Sequence, residues 1–322
     1  MSQPTSRSHF PSAQEDIRSH DESVGRAPAP QTNSPSYRLA FTDEEFLTRR
    51  ELRPVRLQLE LLKPELLLQE ESIISTIVVF GSARVPEPAE ARRRLETAEA
   101  AAAADPGDLT LRAAVERARR VADTSRYYDI ARAFGRIVSE HGQRPGARRY
   151  VVVTGGGPGI MEAANRGAAD ANAESIGLSI VLPHEQAPNA YITPKLSFNF
   201  HYFAVRKMHF LIRAEAMACF PGGFGTMDEL FEALTLIQTR KIQPMPVLLF
   251  GEAWWRRIVN FDALVDEGTI SPEDLDIIKF VETAEDGWNA ILDFYRHHPV
   301  PNQWAGENGN GNGNGNGNGG GK

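Results

Sequence analysis

Short apolar runs that end in glycine or proline constrain the fold of this chain more than any other feature of its sequence. Five β-rich runs are separated by stretches long enough for helices, and they cover residues 74–80, 150–154, 175–182, 216–220 and 247–250. The first four lead directly into Gly81, Gly155, Pro183 and Pro221. Continuous apolar strands that alternate with helices indicate a parallel sheet covered on both faces. We therefore expect an α/β fold, with ligands at the carboxyl ends of the strands.

The two ends of the chain differ in composition from the rest. Residues 1–36 are rich in Ser, Pro, Gln and charged residues, and residues 306–322 are a Gly-Asn repeat. Such segments bury too little apolar surface to offset the entropy of ordering them. We expect two disordered tails, which can be removed without loss of folding, around a single domain over 37–305.

The charge and the cysteine content exclude several classes of protein. The net charge is −7, from 35 Lys+Arg against 42 Asp+Glu, which argues against binding to a nucleic-acid backbone. The apolar runs are far shorter than the roughly 20 residues of a membrane span, and the N-terminus has no signal-peptide pattern. The lone Cys219 cannot form an internal disulfide and suits a reducing compartment. We expect a cytoplasmic protein that binds neither nucleic acid nor membranes.

Two further segments are predicted to be helical. Residues 41–71 form a leucine-rich arm that Pro54 and Pro64 should break. Residues 89–141 form an Ala/Arg/Glu-rich insertion, interpreted as a helical hairpin with its turn at 105–107. Its arginines alternate with glutamates, so a solvated helix face explains them better than an anion site does.

Three strand ends carry residues that can bind an anion through backbone N–H groups and hydroxyls. The candidates are Ser82 after the first strand, Gly155, Gly156, Gly157 and Gly159 after the second, and Gly222, Gly223, Gly225 and Thr226 after the fourth. Pro158 suits the first turn of a helix. Each loop alone is also compatible with an ordinary tight turn. Two glycine-rich loops at one edge of a sheet would together suit a nucleoside monophosphate.

The glycine pattern does not match the common nucleotide motifs. Counted from Gly155, the third glycine of G-x-G-x-x-G would fall on Ile160, and the next strand lacks the acidic residue that binds a ribose. No Lys-Ser or Lys-Thr pair completes a Walker loop. A nicotinamide-dependent oxidoreductase is therefore disfavoured.

Glu229 has both a structural and a functional interpretation. Thr226 and Glu229 have the spacing of a capping box, in which both side chains bind helix-end N–H groups. Alternatively, Glu229 is a carboxylate of the site, kept ionised by the dipole of a first helical turn. Upstream, Arg206 could clamp a phosphate or carboxylate, although an Arg-Lys pair such as Arg206-Lys207 is more often a solvated face.

Taken together, these residues resemble a known family. Arg206-Lys207 followed by Pro221-Gly-Gly-x-Gly-Thr-x-x-Glu229 is similar to the signature of the LOG family, cytokinin riboside 5′-monophosphate phosphoribohydrolases long mislabelled as lysine decarboxylases. Gly81-Ser82 and the Gly155 loop match in order and position, over roughly residues 74–250. Leu182-Pro-His-Glu-Gln186 resembles the longer bacterial members.

The resemblance implies a Rossmann-like fold and a homodimer or larger homo-oligomer. It implies hydrolysis of the N-glycosidic bond of a nucleoside 5′-monophosphate, with Arg206 and Glu229 as catalytic residues and Lys207 beside the substrate. The substrate could be AMP or a cytokinin riboside monophosphate, since the insertion and the arm are absent from the short plant-type members. No cofactor and no metal are expected.

Two questions stay open at this level. The proton donor to the leaving base is not identifiable, and His209 and Asp228 are guesses. A non-catalytic carrier or sensor of a nucleotide or cofactor could use the same fold and loops, although the presence of both Arg206 and Glu229 argues against it.

Overall fold

The computed structural model describes residues 11–26, 28–182 and 187–298. By the clustering of its contacts the chain divides into a smaller unit, Met1–Leu62, and a larger unit, Lys63–Lys322. Positions 183–186, which include most of the Leu182–Gln186 motif, and the Gly-Asn repeat lie outside the described residues. Within the part that is described, no helix combines the length and the apolar character needed to cross a membrane.

A seven-stranded parallel sheet forms the centre of the larger unit. Its strands are β1 (Thr76–Phe80), β4 (Val151–Thr154), β5 (Ser175–Ile180), β6 (Ser197–Phe200), β7 (Ala214–Cys219), β8 (Val247–Phe250) and β9 (Ile278–Val281). Two short strands outside this sheet are β2 (Gln143–Arg144) and β3 (Ala147–Arg148). The sheet order is β6-β5-β4-β1-β7-β8-β9, and β2 and β3 form a separate antiparallel hairpin. The expected α/β fold with a parallel sheet is confirmed, and the five predicted runs form its central strands.

Helices cover both faces of this sheet. In chain order, the α-helices of the described residues are α1 (Ala13–Arg26), α2 (Glu44–Leu47), α3 (Arg53–Glu70), α4 (Pro88–Ala104), α5 (Leu109–Thr124), α6 (Arg126–Gly142), α7 (Ile160–Asp170), α8 (Phe203–Leu211), α9 (Phe224–Gln238), α10 (Glu252–Ile258), α11 (Phe261–Asp266) and α12 (Ala284–His297). Ile77 and Val79 of β1 join one core cluster with α6, α7 and α12. Because side chains alternate along a strand, Phe80 points to the other face, where its ring contacts Phe210 of α8.

The helical insertion is shorter than predicted. Helices α4 and α5 form the expected hairpin, and Asp108 caps α5 by accepting hydrogen bonds from the N–H groups of Thr110 and Leu111. The last third of the predicted stretch is α6, which belongs to the core. A Cβ on Gly135 of α6 would lie 2.3 Å from the Ala164 carbonyl oxygen of α7. Glycine thus lets the two helices pack closely.

Proline does not break the arm where the sequence predicted it. Pro54 is the second residue of α3, a position where its missing N–H has no helical partner. Pro64 lies inside α3, and the helix continues past it to Glu70. Pro64 and Leu68 are both buried, and this burial offsets the lost hydrogen bond.

The predicted N-terminal tail includes a helix in this structure. Helix α1 spans Ala13–Arg26, and none of these residues is buried. A helix without a buried face gains little from tertiary packing. That folding does not require residues 1–36 remains a prediction.

Candidate functional site

The order of the strands brings the three predicted loops together. The chain adds β4, β5 and β6 on one side of β1 and then places β7 on the other side. The direction of winding therefore reverses at β1 and β7, which is where ligands bind in open α/β sheets. The loops after β4, β1 and β7 follow three adjacent strands and contain the predicted glycine ligands except Gly225, which is the second residue of α9.

Ser82 connects the two glycine-rich loops. Its N–H donates to the Pro221 carbonyl at 3.0 Å, and its carbonyl accepts from the N–H of Ile160 at 3.2 Å. Its hydroxyl oxygen accepts from the N–H of Arg84 at 3.1 Å. The half-buried Ser82 is thus fixed by both loops, and its O–H can donate to a ligand in the crevice.

The loop Gly155–Gly159 is shaped by its neighbours. Gly156 and Gly159 have φ values of +79° and +71°, which disfavour any side chain. Helix α7 begins at Ile160 with Gly159 as its N-cap. Pro158 therefore precedes the helix, and the prediction that it lies in the first turn is wrong. The N–H of Ile160, the first residue of α7, already donates to Ser82, so an anion at this helix N-terminus would have to use the N–H groups that follow it.

Asn189 holds this loop from behind and was missed by the sequence analysis. Its side-chain amide donates to the carbonyls of Gly156 and Gly157 at 3.2 and 3.1 Å, and to Asn165 at 3.0 Å. Asn165 is fully buried and accepts a 2.7 Å hydrogen bond from Thr154. No periodic pattern marks these residues. The only available indication was that Asn189 is a polar residue in the segment that follows the third predicted strand.

The loop after β7 forms no capping box. Helix α9 begins at Phe224 with Gly223 as N-cap, so Thr226 is already its third residue. Thr226 is buried, and its Oγ1 would lie 2.1 Å from a Cβ on Gly222. A Cβ on Gly223 or Gly225 would have no described atom within 4 Å. The side of the loop at Gly223 and Gly225 is therefore open.

Arg206 on α8 lies against the first glycine loop. Its Nε donates to the Leu178 carbonyl at 2.7 Å, and its guanidinium lies 5.1 Å from the centroid of the Phe210 ring. Its Nη2 would be 2.8 Å from a Cβ on Gly155, so only glycine allows this approach. Arg206 is thus fixed against the first glycine loop, and these contacts do not fit the alternative that it lies on a solvated helix face.

Glu229 is buried in the second turn of α9, with 7% of its surface exposed. Burial raises the pKa of Glu229 to about 7, against the nearby charges of Lys207 and Arg206, which lower it. The prediction of a first-turn carboxylate kept ionised by the helix dipole is therefore wrong. Its physical reason is that α9 starts earlier than the Thr-x-x-Glu spacing suggested, which moves Glu229 inward.

Lys207 is surrounded by carboxylates. Its Nζ lies 2.6 Å from Glu232, 2.9 Å from Asp228 and 4.0 Å from Glu229. Burial lowers the pKa of Lys207, but the hydrogen bonds to Glu232 and Asp228 outweigh it and raise that pKa. Among the described residues, no group of three or more His, Cys, Asp or Glu side chains is placed to hold a metal ion.

The two guessed proton donors have other surroundings. His209 is buried, its Nδ1 lies 3.5 Å from Glu65, and its ring lies beside Phe200. Glu65 also pairs with Arg213 at 2.6 Å. Asp228 has a side chain that is 61% exposed and is paired with Lys207. His209 is thus engaged with Glu65 and Phe200, and Asp228 with Lys207, and either residue as the proton donor to the leaving base stays a guess.

Part of this chain resembles known proteins, and the matched part includes α8 and α9. Residues 161–291 match the profile of the family described as "Possible lysine decarboxylase". The cytokinin riboside 5′-monophosphate phosphoribohydrolase LOG3 of Arabidopsis thaliana is 30% identical over 145 residues, which cover 44% of this chain and 66% of LOG3. LOG1 of the same plant is 29% identical over 167 residues, which cover 50% of this chain and 76% of LOG1.

The resemblance to the LOG family is confirmed. The region that matches the "Possible lysine decarboxylase" profile contains Arg206, Lys207, the Pro221–Thr226 loop and Glu229. Among solved structures, the chain matches the molybdenum cofactor carrier protein of Chlamydomonas reinhardtii at 16% identity and a TM-score of 0.42, over 69% of this chain and 98% of that protein.

Proposed function

We propose that this protein hydrolyses the N-glycosidic bond of a nucleoside 5′-monophosphate, which releases a free base and ribose 5-phosphate. One observation supports this most directly: the buried Glu229 lies 4.0 Å from Lys207 and is also influenced by the charge of Arg206, on the helix that follows the second glycine-rich loop at the switch point. AMP and a cytokinin riboside monophosphate are both candidate substrates. The curated relatives are named for the second.

The phosphate would bind at the helix N-termini. Helices α7 and α9 both begin at the crevice, and the open side of Gly223 and Gly225 leaves room for a group to approach the backbone. The N–H groups of a helix N-terminus and its dipole favour a dianion over a neutral group. A nucleoside without the 5′-phosphate should therefore be a much poorer substrate.

The chemistry requires a water and a proton. The oxygen of water bonds to C1′ of the ribose while the C1′–N bond breaks, its electron pair goes to the base nitrogen, and that nitrogen takes up a proton. Positive charge develops on the ribose, and a carboxylate beside it stabilises the transition state. With a pKa of about 7, Glu229 can hold or release a proton near neutral pH. It can therefore stabilise that charge and also take the proton of the attacking water.

Arg206 would orient the substrate. Its guanidinium is fixed by the Leu178 carbonyl and packs on Phe210, which leaves its planar donors aligned. A pre-positioned Arg binds a phosphate or a ribose hydroxyl without first losing side-chain freedom. Loss of Arg206 should weaken substrate binding as well as turnover.

The test is release of free base from a panel of nucleosides and their 5′-monophosphates. We expect AMP or another monophosphate to be hydrolysed and adenosine to be hydrolysed at least about a hundredfold more slowly, which corresponds to roughly 3 kcal/mol. Glu229→Gln should lower kcat about a hundredfold or more while it retains nucleotide binding. The matched control is Glu215→Gln, since Glu215 is equally buried, at 8% exposure, but lies at the opposite end of β7.

Two outcomes would overturn this proposal. Binding of AMP without release of base would indicate a carrier or sensor. Equal turnover of adenosine and AMP would remove the phosphate from recognition.

We also propose that the chain forms a homo-oligomer through α8 and α9. Large apolar side chains on these helices are exposed: Phe224 (96%), Phe203 (53%), Met208 (51%) and Phe231 (38%). Apolar clusters of this kind mark protein interfaces. Sedimentation of the full chain should give at least twice the monomer mass of 35.6 kDa.

A further inference from the structure

A cluster of carboxylates surrounds the ammonium group of Lys207. The resemblance placed Lys207 beside the substrate, where a cation would be expected to bind the phosphate. In the structure three carboxylates contact this ammonium group or lie within 4.0 Å of it: Asp228, Glu229 and Glu232. A phosphate dianion brought to Lys207 would approach those carboxylates too, and like charges at this range repel strongly.

Lys207 also has limited freedom to move. Its side chain is 17% exposed, and its shortest contact is 2.6 Å, to Glu232. Glu232 lies one turn after Glu229 on α9 and half-buried beside it. The pair therefore links α8 to α9 next to Glu229, and Asp228 supplies a second, more exposed contact from the same helix.

We propose that Lys207 is a positioning residue for Glu229, held in place by Glu232, and that it does not bind the phosphate. The ammonium group favours the ionised form of Glu229, while Glu232 and Asp228 oppose it. Arg206 also favours the ionised form of Glu229, and Glu229 in turn contributes to the raised pKa of the buried Cys219 thiol. The protonation state of Glu229 is thus set by a small balanced group of charges. This inference rests on the proposed hydrolytic function.

Opposite charges on Lys207 and Glu232 predict opposite effects. In Lys207→Met the favourable cation is lost, so the limb of the pH–rate profile that reports Glu229 should move to higher pH, by about one pH unit. In Glu232→Gln a like charge is lost while Asp228 still holds Lys207, so the same limb should move to lower pH. A purely structural linkage would not reverse the direction of the shift. Lys207→Arg keeps the charge and should restore most of the wild-type profile.

The experiment measures kcat and KM for the full chain across pH, with a hydrolysed nucleoside monophosphate as substrate. Lys195→Met is the matched control, because Lys195 also pairs with two carboxylates, Glu71 and Glu174, but outside the site. We expect KM to change less than about threefold in Lys207→Met, since the phosphate lies elsewhere. A KM raised tenfold or more with an unmoved pH limb would overturn the proposal, as would shifts of the same sign in both variants.

A second measurement separates this proposal from the hydrolytic function. In protein labelled with ¹³C at the glutamate carboxyls, the signal lost in Glu229→Gln identifies Glu229 and can be titrated directly. Opposite shifts of that titration in Lys207→Met and Glu232→Gln would support the positioning role even if no nucleotide is hydrolysed. Unchanged titrations would refute it even if hydrolysis is observed.

Discussion

The two glycine-rich loops look alike in sequence but differ in what their glycines do. In the loop after β4, a Cβ on Gly155, Gly156, Gly157 or Gly159 would lie within 2.8 Å of other protein atoms. In the loop after β7, only Gly222 is enclosed, and Gly223 and Gly225 face open space within the described part of the chain. The fold itself requires glycine at positions 156 and 159 of the first loop, where φ is positive. At Gly223 and Gly225 it does not, which points to a ligand as the reason.

The helices that follow the two loops, α7 and α9, also differ in the role of a glutamate near their N-terminus. Glu162 in the first turn of α7 accepts a hydrogen bond from Tyr128 at 2.9 Å and stabilises the packing of α6 on α7. Glu229 on α9 is buried with a raised pKa, a feature that costs folding free energy when the carboxyl ionises. Groups that the fold would be more stable without are typical of functional sites. We therefore propose a mainly structural role for the first loop and a mainly functional one for the second.

The largest effect that tests this comparison is on the first loop. Gly159→Ala places a methyl group 2.4 Å from the Ser82 carbonyl oxygen at a φ of +71°. We expect the free energy of unfolding to fall by about 3 kcal/mol or more, because strain and a backbone clash add together. Urea unfolding measures this, with Gly223→Ala as the matched control that should stay within about 0.5 kcal/mol of wild type. Equal losses in both variants would end the distinction between the loops.

A smaller effect, of opposite sign, is expected at Glu229. Burial raises the pKa of Glu229 from its ordinary value of 4.5 to about 7 in the folded protein. The folded state thus binds the proton more tightly, so the stability from this group is complete below about pH 4.5 and is lost as the pH rises through 7. Glu229→Gln should raise the free energy of unfolding by roughly 1–3 kcal/mol at pH 8 and leave it nearly unchanged at pH 4.

Denaturant unfolding at the two pH values checks this prediction. A variant that is less stable than wild type at pH 8 would mean that Glu229 serves the fold after all. In that case the second loop and its helix would be structural as well.

The sequence predicted the strand ends well and the surroundings of their residues poorly. The central strands are continuous apolar runs, which made the sheet and the position of the loops predictable. The edge strands were missed because Ser197–Phe200 alternates buried and exposed residues and Ile278–Val281 has only one buried residue. Neither pattern is a continuous apolar run.

The predicted environment of Glu229 depended on the residue at which α9 begins. Thr226 and Glu229 have capping-box spacing, and nothing local distinguishes that arrangement from a helix that starts at Phe224. Only the tertiary structure shows that Glu229 is in the second turn and buried. The partners of Lys207 were similarly unpredictable, because they require α8 and α9 to be adjacent.

The smallest expected effect on stability is at Gly225, where the structural and functional interpretations differ most clearly. Gly225 is the second residue of α9, and an added Cβ meets no described atom within 4 Å. Because alanine restricts the unfolded chain and favours the helix, Gly225→Ala should raise the free energy of unfolding by up to about 1 kcal/mol. The same methyl group would occupy the side of the loop from which a phosphate approaches the backbone, so nucleotide affinity should fall about tenfold or more. Calorimetric titration with AMP, together with urea unfolding, measures both quantities on one variant. A protein that gains stability and keeps its full affinity would show that this face of the loop is not the phosphate site, and the glycine would then have no explanation in either the fold or the ligand.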